Sequence, residues 1–254
     1  MTEPAVASAP EIITAAVLVI GDEILSGRTK DKNIGYIAEY LTAIGIDLKE
    51  VRVVADEEAA IVEALDALRH RYTYVFTTGG IGPTHDDITA DSVARAFGVG
   101  IGHDPRAVAL LRDRFGDAYL NEARMRMARI PDGAELIPNK VSTAPGFRIG
   151  NVFVMAGVPA IMQAMLDAAA ATLRTGTRML SETVRADARE GDIGGPLGEV
   201  AKAHPQTAIG SYPFFDPERG PNTNIVVRSR DPHSLAAAKA AVEAMLEQVR
   251  AAMK

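Results

Sequence analysis

The segment of the chain best suited to chemistry is a glycine-rich stretch followed by two aspartates. It runs from Thr77 to Thr89 with the sequence TTGGIGPTHDDIT. Three glycines allow positive φ angles and bring backbone N–H groups close to an oxyanion, and a helix N-terminus directly after them adds partial positive charge. The segment therefore predicts a phosphate-binding loop formed by Gly79, Gly80, Gly82, Pro83, Thr84 and Thr89.

Two adjacent carboxylates, Asp86 and Asp87, follow that loop and would by themselves repel a phosphate. A divalent cation between carboxylate and phosphate removes the repulsion, and Mg²⁺ is usually held in this way. We therefore predict a metal site at Asp86 and Asp87 for Mg²⁺, Mn²⁺ or Co²⁺, with K⁺ as a further candidate. The alternative is that one aspartate caps the next helix while the other is solvated, which leaves the three glycines unexplained.

Polar residues also follow the first apolar run of the chain, which ends at Ile20. Because the carboxyl ends of parallel strands meet at one edge of a sheet, these side chains would face the glycine loop. We therefore predict ligand contacts from Gly21, Asp22, Glu23, Gly27 and Asn33. A solvated loop, with Asp31 as the N-cap of the next helix, is the alternative for this segment.

Asp56 repeats this pattern after the second predicted strand. Its position suits the N-cap of a helix and also suits a ligand or catalytic role, and both can hold together. A last set of candidate ligand contacts lies at two further strand ends and consists of Thr143, Pro145, Gly146, Gly157 and Pro159. Turn chemistry alone accounts for these residue types when nothing else is considered.

Composition and missing motifs exclude several classes of function. The chain has 254 residues, no cysteine and a formal net charge of −6, which rules out thiolate chemistry and argues against nucleic acid as a partner. It has no apolar run long enough to span a membrane and no signal-peptide pattern, which favours a cytoplasmic location. It also lacks the GxxxxGK[ST], GxGxxG and GxSxG motifs, and its five histidines are not spaced as zinc ligands.

The elements that would position these residues alternate between strand and helix. Apolar or β-branched runs predict strands over Ala15–Ile20, Ile46–Val54, Tyr72–Thr78 and Val152–Met155. Apolar residues at helical spacing predict helices over Asp31–Ala43, Asp56–Leu68, Asp91–Phe97, Arg106–Phe115, Asn121–Arg129 and Pro159–Leu173. This alternation is typical of a mostly parallel sheet with helices on both faces, which is a three-layer α/β sandwich.

After Leu173 the pattern changes to that of a small α+β region. We predict strands over Thr177–Ala186, Thr207–Tyr212 and Asn224–Arg230, and helices over Gly194–Ala203 and His233–Met253. The domain boundaries that follow are a flexible tail at 1–12, an α/β domain at 13–173 and an α+β domain at 177–254. The segment Tyr212–Asn222 is predicted to be a hairpin whose aromatic residues close the small core, or else a loop over a neighbouring cleft.

Several motifs in a fixed order resemble the molybdopterin-binding-like superfamily. They are GDEILSG with Asp31 and Asn33, the GGIGPTHDDIT string, Asn139 with TAPG at 143–146, and GVP at 157–159. Within the superfamily, the chain is similar to the N-terminal region of the competence/damage-inducible protein A family. It also resembles the molybdopterin-binding-like domain of eukaryotic FAD synthases, and the resemblance covers Ala15 to about Leu173.

The resemblance implies a three-layer α/β domain with its site at the glycine loop, and assembly into a dimer or trimer. Two aspartates are functional acids in the molybdopterin-adenylating branch, and they correspond to Asp87 and Asp56, which we therefore predict to be catalytic. The chain departs from the family pattern at three positions. Ser142 stands in place of a glycine, Ala156 in place of a proline, and Ile161 in place of a common glutamate.

Three functions are consistent with these residues. The first, implied by the competence-protein and FAD-synthase branches, is metal-dependent hydrolysis of a nucleotide pyrophosphate of the ADP-ribose or FAD type. The second is a molybdopterin-binding or molybdopterin-adenylating protein, and the third is a nucleotide-binding module without turnover. The adenylating branch usually has a basic residue where this chain has Asp86, which favours hydrolysis. In each case the expected partner is a small nucleotide or pterin.

Overall fold

The computed structural model describes residues 11–252, which divide into two compact units between Gly176 and Thr177. The predicted tail at 1–12 falls almost wholly outside the described residues, as does Met253 at the predicted end of the last helix. No helix within residues 11–252 combines the length and the apolar character needed to cross a membrane.

The first unit is built from strands, helices and one short 3₁₀ turn at Asp117–Tyr119. Its strands are β1 (Ile13–Ile20), β2 (Ile46–Val54), β3 (Tyr74–Thr78), β4 (Ile101–His103), β5 (Arg129–Pro131), β6 (Glu135–Ile137), β7 (Gly146–Ile149) and β8 (Val152–Met155). Its helices are α1 (Asp22–Leu25), α2 (Asn33–Ala43), α3 (Glu58–Arg69), α4 (Thr89–Phe97), α5 (Pro105–Phe115), α6 (Glu122–Arg126) and α7 (Pro159–Ala170).

Six of these strands form one sheet in the order β2-β1-β3-β8-β7-β6. The first four are mutually parallel, and β7 alone runs against its two neighbours. A register shift between Ala15 and Ala16 lets β2 carry one extra residue, so Ala15 pairs with Leu48 and Ala16 with Glu50. That bulge accounts for the interruption in the alternating pattern of β2.

Apolar side chains cover both faces of this sheet. On one face, alternate residues of β1 such as Leu18 pack with α3 and α4 residues such as Leu65 and Val93. On the other face, Val17 and Val19 of β1 pack in a cluster with apolar residues of α2 and α7. Because β1 is apolar at every position from Ala15 to Ile20, it can lie between two helical layers. The predicted three-layer α/β fold is confirmed.

The expectations for Asp56 and for the helix Asn121–Arg129 were wrong. Asp56 is not the N-cap of α3, because Glu57 holds that position and the Asp56 carboxylate accepts a hydrogen bond from the N–H of Asp22 instead. The predicted helix Asn121–Arg129 ends at Arg126. Arg129 begins β5 and pairs with His103 of β4, so tertiary strand pairing overrides the helical periodicity there.

The second unit contains β9 (Leu180–Arg185), α8 (Glu190–Ala203), β10 (Ala208–Asp216), β11 (Gly220–Ser229) and α9 (Pro232–Ala252). The three strands form an antiparallel sheet in the order β10-β11-β9. A separate core joins the sheet to the two helices through Ile225, Val227, Ile193 and Leu246. This is an α+β unit with its own buried apolar cluster.

The hairpin predicted at Tyr212–Asn222 is present as the β10–β11 connection, but its aromatic residues do not close the core. Phe215 is 72% exposed. The ring of Phe214 instead lies 5.3 Å from the guanidinium carbon of Arg185. The apolar residues of α8 and α9 already fill the core, so the aromatic residues near the turn remain outside it.

Candidate functional site

A cleft of about 540 Å³, which we call the main cleft, lies at the carboxyl ends of β1, β3 and β8. It is lined by Glu23, Thr29, Gly79, Gly80, Ile81, Gly82, Pro83, Asp87, Met127, Ser142, Ala144, Pro145, Ala156, Gly157, Val158, Pro159, Ile161 and Met165. Because β7 is antiparallel, the loop that precedes it reaches the same edge of the sheet. Four separate segments therefore meet at one place.

The glycine loop is held in shape by close backbone approaches that exclude side chains. Gly79 has a φ of 102°, and a Cβ atom there would collide with the carbonyl oxygen of Ile20. Gly80 has a φ of 66°, and a Cβ atom would collide with the hydroxyl of Thr89. Glycine is required at both positions because the conformation is left-handed and the space is already filled.

Thr89 takes a different role from the phosphate contact that we predicted for it. Its side chain is fully buried, and its Oγ1 donates to the carbonyl of Gly79 at 3.0 Å while its N–H donates to the carbonyl of Gly80 at 3.0 Å. Thr89 is also the first residue of α4. The hydroxyl therefore joins the glycine loop to the start of the helix and is not available to a ligand.

A tight turn connects Gly82, Thr84 and Asp87. The N–H and the Oγ1 of Thr84 both donate to Oδ2 of Asp87, at 2.8 Å and 2.5 Å. A Cβ atom at Gly82 would lie 2.6 Å from that same oxygen. Both donors of Thr84 thus bond to Asp87 and not to a phosphate. Thr84 thereby orients a carboxylate that lines the main cleft.

Acidic residues from three consecutive strand ends lie close together. The N–H of Asp22 donates to Oδ2 of Asp56 at 2.9 Å. Burial raises the pKa of Asp56, and the negative charges of Asp22, Glu23 and Asp86 raise it further, while the hydrogen bond from Asp22 opposes the shift. These carboxylates therefore share one electrostatic environment beside the glycine loop.

The donor chemistry of this acidic group suits a hard cation, but the group is not a complete cage. Within residues 11–252, no three His, Cys, Asp or Glu side chains are gathered closely enough to hold a metal ion. Mg²⁺ commonly takes only one or two carboxylates and completes its shell with substrate phosphates and water. A cation at Asp56, Asp86 or Asp87 would therefore need further oxygen ligands from a bound phosphate or from water.

A smaller space of about 210 Å³, which we call the side pocket, adjoins the main cleft through Glu23, Thr29 and Gly79. Asn33 lines it and is only 4% exposed. Its Nδ2 donates to the carbonyl of Gly157 at 2.8 Å, whereas its Oδ1 is buried with no hydrogen-bond partner. The Oγ1 of Thr78, which also lines the pocket, is buried and unpartnered in the same way.

Asp31 acts within its own segment. Its Oδ1 accepts hydrogen bonds from the N–H groups of Asn33 at 3.0 Å and Ile34 at 2.7 Å, at the start of α2. Asp31 is not the predicted N-cap, because Lys32 holds that position, but its carboxylate still satisfies two N–H groups of the first turn. It also places the buried amide of Asn33 in the side pocket.

The loop before β7 is organised by Asn139, which is buried. Its Nδ2 donates to Oγ of Ser142 and to the carbonyl of Ala144, and its Oδ1 accepts from the N–H groups of Val141 and Ser142. Thr143 has a φ of 71°, which is unusual for a β-branched residue. Ser142, Ala144 and Pro145 from this loop line the main cleft.

The predicted ligand residues fall into two groups. Those that line the main cleft or the side pocket are Glu23, Asn33, Gly79, Gly80, Gly82, Pro83, Asp87, Pro145, Gly157 and Pro159. Those that line neither are Gly21, Asp22, Gly27, Asp56, Thr84, Asp86, Thr89, Thr143 and Gly146. Gly146 is buried in β7, where a Cβ atom would collide with the carbonyl of Val154, so it has a packing role rather than the predicted ligand role.

The apolar wall of the main cleft was not anticipated from the sequence. It is formed by Ile81, Met127, Ala156, Val158, Ile161 and Met165. Met127 and Met165 fall within the predicted helices Asn121–Arg129 and Pro159–Leu173, and apolar residues of helices usually pack into a core. The three departures from the family pattern offered a signal, because Ser142, Ala156 and Ile161 all line this cleft.

Comparison with known families and proteins gives two matches along the chain. Residues 16–175 match the family described as "Probable molybdopterin binding domain". Residues 178–252 match the family described as "FAD synthase, middle domain". The two matched ranges lie on either side of the division between Gly176 and Thr177.

Individual relatives agree with these matches. A protein of Archaeoglobus fulgidus is 32% identical over 201 residues, which cover 78% of this chain and 84% of that protein. A probable FAD synthase of Caenorhabditis briggsae is 29% identical over 265 residues, which cover 92% of this chain but about half, 49%, of that protein.

A solved structure extends the agreement to three dimensions. The crystal structure of the protein CinA of unknown function from Thermoplasma acidophilum is 34% identical to this chain, with a TM-score of 0.60. The match covers 63% of this chain and 98% of that one. These findings confirm the resemblance that the ordered motifs predicted.

Proposed function

Because the chain belongs to the probable molybdopterin binding domain family over residues 16–175, we propose that its main cleft binds a nucleotide and hydrolyses the pyrophosphate of that nucleotide. The substrate is of the ADP-ribose or FAD type. The reaction adds water across the P–O–P bond, so ADP-ribose yields AMP and ribose 5-phosphate. The FAD synthase relative supports a nucleotide substrate, although this chain spans about half of that protein.

One observation carries this proposal. The Asp56 carboxylate accepts a hydrogen bond from the N–H of Asp22 beside the glycine loop, and its pKa is raised mainly by burial and further by the charges of Asp22, Glu23 and Asp86. Such a group of acids next to a phosphate loop is unfavourable unless a cation neutralises it. A bound divalent cation would polarise the P–O bonds and lower the pKa of a water molecule.

Different residues would bind the phosphate, hold the cation and exclude bulk water. The glycine loop brings backbone N–H groups toward one phosphate, and Gly79 and Gly80 have the conformations that permit this approach. Asp86 and Asp56 would hold the cation, and Asp87, fixed by Thr84, would orient the attacking water or share the cation. The apolar wall around Ile161 would exclude bulk water and hold the flat ring of the nucleotide.

The experiment that tests the proposal measures AMP release from ADP-ribose and FAD with Mg²⁺, Mn²⁺ or Co²⁺, and in the presence of a chelator. We expect turnover that requires the metal, and a loss of about 100-fold or more in kcat for Asp87→Asn. Asp86→Asn should mainly raise the metal concentration needed for half-maximal rate. Asp113→Asn, an exposed acid on α5, is the matched control and should leave the rate unchanged.

If the wild type releases no AMP in a metal-dependent way, the proposed hydrolase function is wrong. The second candidate, binding of a pterin, is favoured by the family description together with the apolar wall of the cleft. Equilibrium titration with molybdopterin and with ADP-ribose separates the two. Tight pterin binding that ADP-ribose does not displace, in a protein without turnover, would establish the second candidate.

A further inference from the structure

Arg126, the last residue of α6, lies behind the loop that carries both adjacent aspartates. Its Nη2 donates to the carbonyl of Asp87 at 3.2 Å, and it lies 3.5 Å from the carbonyl of His85. A space of only about 10 Å³ separates it from the glycine loop, and Gly80, Gly82 and Asp87 line that space. A side chain from a distant segment thus contacts the back of the loop.

The loop from Pro83 to Ile88 has few other restraints of this kind. Its backbone contributes one internal hydrogen bond, from the N–H of Asp87 to the carbonyl of Thr84 at 3.3 Å. The outward residues are open, with the His85 side chain 98% exposed and that of Asp86 63% exposed. Besides the two bonds from Thr84 to the Asp87 carboxylate, the bond from Arg126 to the Asp87 carbonyl ties this backbone to a distant segment.

The guanidinium is suited to this task in two ways. One nitrogen of the planar guanidinium, Nη2, carries two N–H groups and so reaches both carbonyl oxygens. The guanidinium also keeps its charge at any ordinary pH, so it places a permanent cation beside a group of carboxylates. Its Nε is buried without a hydrogen-bond partner, and an unpaired buried donor costs free energy.

We propose that Arg126 is a positioning residue, which holds the Pro83–Ile88 loop so that Asp87, with Asp86 beside it, faces a metal–phosphate ligand in the main cleft. It acts through the backbone of that loop and does not contact the ligand. The consequence for turnover rests on the proposed hydrolase function. The effect of Arg126 on the loop in the free protein does not depend on that function.

The first arm of the test uses the full-length protein without ligand. Hydrogen–deuterium exchange is measured for the backbone amides of residues 82–88 in the wild type, Arg126→Met and Arg126→Lys. Arg124→Met is the matched control, because the Arg124 guanidinium donates to the carbonyl of Tyr119 and lies 4.8 Å from the ring centre of Phe115. We expect exchange about tenfold faster in Arg126→Met, an intermediate rate in Arg126→Lys and no change at these amides in the control.

The second arm measures hydrolysis of ADP-ribose with Mn²⁺. A loop displaced by about 1 Å should lower kcat by about 10- to 100-fold in Arg126→Met, with KM changed by less than about threefold. Arg126→Lys should recover part of kcat, because it restores a cationic donor at the same place.

The outcomes are distinguishable. Unchanged loop exchange in folded Arg126→Met and Arg126→Lys overturns the proposal, and so does faster exchange with an unchanged kcat. If the wild type shows no turnover, the proposed function fails, and the exchange measurement still decides whether Arg126 holds the loop. If Arg126→Met does not fold, as judged by circular dichroism, the same comparison is made with Arg126→Lys.

Discussion

Thr143 carries the clearest backbone strain at the site. A φ of 71° costs a β-branched residue about 1–3 kcal/mol, and this conformation is found only where the surrounding structure holds it. Here Asn139 supplies four hydrogen bonds to the same short loop, and the N–H of Thr143 donates to the carbonyl of Asn139 at 3.1 Å. The strained backbone at Thr143 curves the loop, and Ser142 and Ala144 on either side of it line the main cleft.

We expect Thr143→Gly to raise the free energy of unfolding by about 1 kcal/mol, because the relief of strain exceeds the entropy that glycine adds to the unfolded chain. Urea unfolding measures this change. Lys140→Gly in the same loop, where φ is not positive, is the control and should lower stability. A loss of stability in Thr143→Gly as large as that of the control would show that the threonine is not strained.

At the scale of single residues, the sequence indicated the glycine loop and the acids but not the roles of their neighbours. Gly79, Gly80 and Gly82 are informative because few positions require the absence of a side chain. Thr89 and Gly146 have the same residue types as ligand contacts, yet they are buried. Burial depends on which strands and helices pack over a residue, and one sequence does not contain that information directly.

At the scale of elements, the junction of β1 and β3 fixes where the glycine loop begins. Ile20 ends β1, and its carbonyl oxygen occupies the place that a Cβ atom of Gly79 would need. The N–H of Gly79 also donates to the carbonyl of Met155 at 3.1 Å, which ties the loop to β8. Three adjacent strands therefore meet at one residue.

Gly79→Ala should lower the free energy of unfolding by about 2–4 kcal/mol, because it combines a left-handed φ with a collision against backbone. Gly98→Ala is the matched control, since Gly98 has a φ of 65° at the end of α4 but nothing within 4 Å of an added Cβ atom. It should lose only about 1 kcal/mol. Thermal unfolding measures both, and equal losses would contradict the assigned close approach.

Elements with a strong local pattern were predictable, and elements made by tertiary pairing were not. The predicted bounds of β2 and β8 coincide with the structure, because continuous or alternating apolar residues leave little choice. The short strands β5 and β7 escaped prediction. Each is three or four residues long and exists only through its partner, as with Arg129 of β5 opposite His103.

At the scale of the whole molecule, each unit has its own buried core, and all residues that line the main cleft belong to the first. A fragment of residues 1–176 should therefore keep the affinity of the full chain for ADP-ribose with Mn²⁺ within about threefold, a difference of less than 1 kcal/mol. Isothermal titration measures it, and circular dichroism establishes that the fragment is folded. Loss of binding in a folded fragment would assign part of the site to residues 177–254.

The pairing of β3 with β8 has a consequence for the order of folding. The separation along the chain grows across the sheet: Ala15 pairs with Leu48 of β2 and with Tyr74 of β3, 33 and 59 residues away, whereas Val75 of β3 pairs with Val152 of β8, 77 residues away. Contacts between distant segments cost more chain entropy and form more slowly. The main cleft lies between the ends of these two strands, so the β1–β3 half can collapse before any ligand has a place to bind. A ligand would then slow unfolding and leave the early folding rate unaltered.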